Sequence, residues 1–166
     1  HAERRRVVLR HVVGVKARLL DQFEQLQAIF EKLAQRPAIA VEVIEEGKRQ
    51  FRQYIGEGDV QWMTAGSGIL HKEYHEEEFN RQGGIFQMVQ LWVNLPAKDK
   101  MSTPKYQAIS NAQINKYKLP KNEGEIEIIA GNFNDIRGAA STFTPIHLYN
   151  VRLNEGAKVD LTFPEY

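Results

Sequence analysis

The pattern of apolar residues changes at Gly58, and this change limits the folds open to the chain. From there on, short apolar runs are separated by Gly and Pro, which is typical of β-strands joined by turns. Residues 85–95 are apolar on both faces and predict a central strand that is covered on both sides. Residues 124–131 predict a shorter strand. The part of the chain after Gly58 is therefore predicted to be all-β.

The last residues carry the clearest strand signal. Residues 157–163 alternate apolar and polar side chains with a period of two. Asn154, Glu155 and Gly156 join this strand to residues 147–153, which predicts a β-hairpin. Because the sequence ends soon after the final strand, we expect an unpaired sheet edge there. Such an edge favours association with another copy of the chain.

The N-terminal part has a different character. Residues 15–36 predict an amphipathic helix that Pro37 ends, because apolar residues recur at spacings of three and four. Residues 39–55 predict a strand, a turn at Gly47 and a second strand. The first 18 residues are strongly basic, and we interpret them as a solvated, frayed terminus. No aromatic residues interleave with the arginines, as they would in a nucleic-acid-binding arm.

Composition excludes several classes of function. The chain has 166 residues, of which 42% are apolar, enough for one domain with a core. There is no Cys, which excludes disulfides, zinc–thiolate sites and Cys nucleophiles. Charge is balanced, with 22 basic and 21 acidic residues, so direct nucleic-acid binding is not expected. No membrane span or secretion signal is recognisable, and a cytoplasmic location is expected.

A His-x-Glu pair is the main candidate for chemistry. On a β-strand His71 and Glu73 would share one face, and His75 and Glu77 would join them if the strand continued. Imidazole and carboxylate together suit Fe, Mn, Ni, Cu or Zn. The alternative interpretation is an ordinary solvated acidic run. Two other histidines, His11 and His147, are interpreted as hydrogen-bonded core residues rather than ligands.

Longer motifs resemble a known family. The runs "GDVQWMTAGSGILHKE" and "QLWVNLPAKDKMSTPKYQ" resemble pirins, which are two-barrel members of the cupin superfamily, and the resemblance extends from about Ile55 to the end of the sequence. It implies an incomplete cupin-type (jelly-roll) β-barrel, mostly β, with an added N-terminal α-helix.

The resemblance also implies a site. Pirins hold a metal, usually iron, through three His and one Glu, and His71 and Glu73 match two of these ligands. Bacterial members resemble quercetin 2,3-dioxygenases, which open a flavonol with O2. In such a reaction Glu73 would take the proton of the flavonol hydroxyl. Animal relatives are regulators of transcription factors. The metal is expected to be Fe, with Cu, Ni or Zn as alternatives.

Two departures from the family pattern change these expectations. The family's His-x-His pair has no counterpart, since no His occurs between His11 and His71. His75 is one candidate to replace a ligand. The second barrel also stops early, as in a gene fragment. We therefore expect residues 1–54 to be a divergent segment, residues 55–120 the remainder of the first barrel with a linker, and residues 121–166 the start of a second barrel. Metal would be held weakly, and dioxygenase activity would be impaired. The alternative is a non-catalytic metal-binding or regulator-binding protein.

Overall fold

The computed structural model describes residues 4–10, 39–45 and 48–164. The prediction of a mostly β protein is confirmed. In chain order the elements are β1 (Arg4–Arg10), β2 (Ile39–Glu45), β3 (Lys48–Ile55), β4 (Val60–Thr64), β5 (Leu70–His75), α1 (Glu77–Gln82), β6 (Lys105–Ile109), β7 (Asn115–Lys118), β8 (Gly124–Ala130), β9 (Asn132–Phe133), β10 (Ile136–Arg137), β11 (Leu148–Leu153) and β12 (Lys158–Pro164). Three short 3-10 helices lie at Ala97–Asp99, Asn111–Gln113 and Pro120–Asn122.

The chain divides into two compact units. Among the described residues, one unit contains residues 39–45 and 48–113, and the other contains residues 4–10 and 114–164. The predicted helix at residues 15–36 lies outside the described residues, as does the predicted turn at Gly47. In the described part of the chain, no helix is both long and apolar enough to cross a membrane.

The first unit is built on a three-stranded antiparallel sheet with β2 between β3 and β5. This confirms the two strands predicted in residues 39–55. Alternate residues of β2 point to one face, and Ile39, Val41 and Val43 on that face are 5%, 0% and 7% exposed. Ile39 and Val41 share a small core with Ile55 of β3, and side chains from outside the sheet pack against this core. A separate two-stranded sheet pairs β4 with β6.

The loops around β4 are fixed by the hydrogen bonds of the Asp59 side chain and by a close approach of the backbone at Gly66. Asp59 ends the turn before β4, because its Oδ2 accepts a hydrogen bond from the Gly56 amide at 2.9 Å and its Oδ1 accepts one from the Asn111 amide at 2.8 Å. After β4, Gly66 has a φ of 50°. A Cβ at Gly66 would lie 2.1 Å from the carbonyl oxygen of Ser102, so this close approach requires glycine.

In the second unit β8 lies between β7 and β11, which confirms the strand predicted at residues 124–131. Ile126 and Ile128 on one face are fully buried and pack with Val159 and Leu161 of β12. Glu127 points to the other face, where its side chain is only 3% exposed. It is held there by charged and amide groups of the flanking strands.

The predicted hairpin at the end of the chain is wrong. The turn is present, since the Ala157 amide donates to the Asn154 carbonyl at 3.0 Å. However, β11 pairs with β8, and β12 pairs with β1 along its whole length. The final strand therefore has a partner on one side. The interpretation of the basic N-terminus as frayed is wrong for Arg4–Arg10, because the backbone of these residues pairs with β12.

The covered central strand predicted at residues 85–95 is also absent. The described structure places residues 83–96 outside any helix or strand. Several large apolar side chains there are exposed, namely Ile85, Phe86, Val89, Trp92 and Val93. An apolar run becomes a covered strand only where neighbouring strands are available to pair with it, and none of the described strands does so.

Candidate functional site

Strand β5 places His71 and Glu73 on the core-facing side of the first unit's sheet. In the antiparallel pairing with β2, His71 lies opposite Val43 and Glu73 lies opposite Val41. Residues directly opposite each other project to the same face of a sheet. Because Val41 and Val43 are buried on the core side, His71 and Glu73 project to that side as well. Lys72, which lies between them on β5, and Tyr74, which follows Glu73, project to the other face.

The two side chains are close together and partly open to solvent. His71 Nε2 lies 3.7 Å from Glu73 Oε1. Both residues are exposed when backbone and side chain are taken together. Their side chains alone are 31% exposed in His71 and 24% exposed in Glu73. The open side follows from the position of β5, which pairs only with β2 among the described strands. The geometry offers one nitrogen and one carboxylate to a small ligand at the sheet's edge.

His75 does not join this pair. It lies on the same face, opposite Ile39, but its ring stacks on Phe79 with centroids 5.6 Å apart and meets the edge of Phe86 at 5.2 Å. Strand β5 ends at His75, and Glu77 is the first residue of helix α1. The strand does not reach Glu77, so the condition for extending the row to that residue is not met. In the part of the chain that the structure describes, no three His, Asp or Glu side chains converge on a point that could hold a metal.

Two further residues near Glu73 were not predicted from the sequence. Gln53 on β3 lies opposite Val41, so Gln53, Val41 and Glu73 form one row across the sheet. Tyr106 on β6 packs against the core of this sheet, and its hydroxyl donates a hydrogen bond to Gln53 Oε1. Burial raises the pKa of Tyr106, and the negative charge of Glu73 raises it further. Tyr106 is therefore a neutral hydrogen-bond donor beside the pair.

The opposite face of the sheet holds β5 in place. Tyr74 follows Glu73, and its hydroxyl donates to Glu42 Oε1 on β2 at 2.8 Å. Arg52 on β3 binds the same carboxylate at 3.0 Å and also contacts the Tyr74 hydroxyl. These contacts join all three strands. Each cross-strand contact of this kind is modest in energy, but together they fix the strand from which His71 and Glu73 project.

The remaining histidines do not belong to this site. His147 Nδ1 lies 2.8 Å from the Tyr149 hydroxyl, and the ring is packed edge-on against Tyr149 and Phe163. The Tyr149 hydroxyl donates to the Asn132 carbonyl, so the His147 nitrogen is the donor of the pair. This confirms the interpretation of His147 as a hydrogen-bonded residue. His11 lies outside the described residues.

The mostly β fold is of the cupin type, as its likeness to a solved structure indicates. Three comparisons identify the family within it. Residues 22–93 match the family model Pirin. A Pseudomonas aeruginosa protein provisionally named a quercetin 2,3-dioxygenase is 50% identical over 111 residues, which are 67% of this chain and 39% of that protein. Pirin-1 of Arabidopsis thaliana is 37% identical over 74% of this chain and 40% of its own length. These matches assign residues 22–93 of the chain to the pirin family.

A solved structure agrees with this assignment. The crystal structure of a quercetin 2,3-dioxygenase from Acinetobacter baumannii superposes with a TM-score of 0.64 at 39% identity, covering 75% of this chain and 41% of that one. The chain thus spans about two fifths of the length of these relatives. The family match begins at residue 22, well before the start near Ile55 that the motifs indicated.

The metal that the pirin resemblance implies can be compared with the residues present. Four donors, three His and one Glu, are expected. The described residues bring together one imidazole and one carboxylate, and residues 12–70 contain no His. Two donors do not fit a four-ligand centre, since affinity depends on the number and orientation of deprotonated ligands. His71 and Glu73 can serve as part of a metal site, but not as a complete one.

Proposed function

We propose that this chain is a pirin-type protein with a reduced divalent-metal locus formed by His71 and Glu73. The observation that supports this is the 3.7 Å separation of His71 Nε2 and Glu73 Oε1 on the core-facing side of β5. An imidazole and a carboxylate at this spacing suit Fe, with Cu, Ni or Zn as alternatives. With water completing the coordination shell, the locus would bind its metal weakly.

We further propose that the chain's relation to quercetin 2,3-dioxygenases extends to its ligand class, a flat phenolic molecule of the flavonol type. Glu73 is the residue that could accept the proton of such a hydroxyl, because it is the partly exposed carboxylate beside His71. Tyr106 and Gln53 would form a polar wall on the inner side of Glu73. Turnover is expected to be far below that of a complete site, because half of the expected ligand set is absent from the described locus.

Metal content tests the proposal directly. Chain loaded with Fe(II), Cu(II), Ni(II) or Zn(II) and desalted is expected to retain no more than one ion per chain. The substitution His71→Ala should weaken retention tenfold or more, as loss of a direct ligand should cost at least as much as loss of a supporting partner. His147→Ala, in the other unit, is the matched control and should leave retention unchanged. Equal retention in wild type and His71→Ala would exclude the locus.

A second candidate function is non-catalytic binding by a pirin-type fold. It is favoured by the two-donor locus in the described residues. Quercetin consumption by metal-loaded wild-type protein separates the two candidates. Slow consumption that disappears with Glu73→Gln supports an impaired dioxygenase. Full metal retention with no consumption above free metal ion supports the non-catalytic function.

A further inference from the structure

The side chain of Gln61 on β4 carries a buried polar atom, the amide oxygen Oε1, that has no hydrogen-bond partner among the described residues. Most buried polar atoms of side chains are paired, so each unpaired one requires an explanation. Ser102 Oγ is also buried without such a partner, but Ser102 lies in a bend before β6 and not on a strand. Gln61 is therefore the better placed of the two to act on a ligand.

The pairing of β4 with β6 fixes the side to which Gln61 projects. Gln61 lies opposite Ala108, and Met63 lies opposite Tyr106. Residues two apart on a strand share a face, and so do residues directly opposite each other. Gln61 therefore projects to the same side as Tyr106. Because Tyr106 packs against the core of the β3–β2–β5 sheet, this side of β4 is turned toward the sheet that carries the candidate pair.

Tyr106 also links Gln61 to the carboxylate of the pair. Gln61 and Tyr106 are diagonal neighbours across the two strands. The Tyr106 hydroxyl donates to Gln53, which lies in the same row of the sheet as Glu73. Burial raises the pKa of Tyr106, and the negative charge of Glu73 raises it further, so these two side chains are near each other. Gln61 and Glu73 thus project from two packed sheets toward the same tyrosine.

The unpaired atom limits the chemistry of its partner. An amide oxygen accepts hydrogen bonds and donates none, so the partner must supply an N–H or an O–H. A neutral donor suits it better than a cation, because a cation would lose its hydration beside a single neutral oxygen. In a flat phenolic molecule the neutral donors are the ring hydroxyls.

We propose that Gln61 is a specificity-determining residue, whose Oε1 accepts a hydrogen bond from a second hydroxyl of the phenolic ligand, distinct from the hydroxyl whose proton Glu73 accepts. This inference rests on the proposed flavonol-type ligand and narrows it to molecules with hydroxyls on separate rings. Packed sheets stand about 10 Å apart, so groups that project from the two sheets meet opposite ends of the ligand. A ligand without the second hydroxyl leaves the buried oxygen unpaired and binds less well.

A matched pair of ligands tests the proposal. Quercetin carries hydroxyls on its pendant ring, whereas galangin has the same fused rings and no hydroxyl on the pendant ring. Equilibrium dialysis against the Zn(II)-loaded chain gives both Kd values, and Zn(II) supports no redox chemistry. Both ligands present the same metal-binding oxygens on the fused rings, so any effect of the metal is common to the two.

Wild-type protein is expected to bind quercetin about tenfold more tightly than galangin. Gln61→Leu should abolish this preference by weakening quercetin binding about tenfold, without weakening the binding of galangin. Its melting temperature should not fall below that of the wild type, because the substitution removes an unpaired buried acceptor. Met63→Leu, on the same face of β4, is the control and should keep the preference, since the two side chains have similar volumes.

The possible failures are distinguishable. Equal affinity of the wild type for the two ligands overturns the role of Gln61, even if Gln61→Leu does not fold. A Gln61→Leu protein that keeps the tenfold preference overturns it as well. Both results leave the proposed ligand class standing. A wild type that binds neither ligand refutes the ligand class itself, and the role of Gln61 is then refuted with it.

Discussion

The buried carboxylate of Glu127 gives the sharpest test of the packing in the second unit. Its side chain is 3% exposed and lies 2.9 Å from Lys116 Nζ and 3.2 Å from Arg152 Nη1. The two cations are 33% and 48% exposed, so each can turn to solvent when the carboxylate is lost. The carboxylate has no such freedom. Its stability in the core therefore depends on keeping at least one cation.

This asymmetry predicts strong coupling between the two cations. Lys116→Met or Arg152→Met alone should each cost about 1 kcal/mol of unfolding free energy, because the other cation still compensates the charge and both partners are partly solvated. The double substitution removes both of these cations from a buried carboxylate and should cost about 3–5 kcal/mol. The coupling free energy is then at least about 1 kcal/mol.

Hydrogen exchange of the amides in β8 is the appropriate assay. Both tryptophans, Trp62 and Trp92, lie in the first unit, so tryptophan fluorescence does not report on this one. Lys118→Met, on the same strand as Lys116 but opposite Glu125 instead of Glu127, is the control and should change protection by no more than about 0.5 kcal/mol. If the double substitution costs only the sum of the two single ones, the carboxylate does not depend on this pair and the reasoning fails.

Two further predictions concern the first unit. Gly66→Ala should lower the stability of this unit by at least about 2 kcal/mol, because the added Cβ meets the Ser102 carbonyl oxygen at a positive φ. Gly83→Ala is the control, since Gly83 also has a positive φ but has open space around it, and it should cost only about 1 kcal/mol. Equal melting temperatures for the two variants would contradict this prediction. The raised pKa of Tyr106 means that the unfolded chain loses this proton first, so stability should fall as pH rises above about 10, at up to about 1.4 kcal/mol per pH unit. In urea titrations between pH 9 and 11, the unfolding free energy of Tyr106→Phe should fall less steeply with pH than that of the wild type. Identical slopes for the two proteins would show that the folded protein does not hold this proton.

Local alternation of side chains predicted those parts of the fold that depend on one strand alone. Ile39 and Val41 face the core as their period of two requires, and so do Val159 and Leu161. The partner of a strand is not encoded locally. Strand β12 pairs with β1, which lies at the opposite end of the sequence, and nothing in residues 157–163 distinguishes that partner from β11.

The candidate site, like the fold, could be predicted from the sequence only where it depends on a single strand. The spacing of His71 and Glu73 predicted that they share a face, since this follows from strand geometry alone. Gln53 and Tyr106 were not predicted, because they reach Glu73 only through pairing and packing between distant segments. His75 has the correct spacing for a ligand, but its ring is held by Phe79 and Phe86. Residues 85–95 show the converse, a strand-like sequence without a partner among the described strands.

Electron spin-echo spectroscopy of the Cu(II)-loaded chain is the most direct measurement of the central claim, because it counts the imidazoles bound to the metal. A locus built from His71 and Glu73 predicts a single coordinated imidazole, whose signal disappears with His71→Ala and persists with His75→Ala. Two or more coordinated imidazoles in the wild type, or an unchanged signal after His71→Ala, would contradict it.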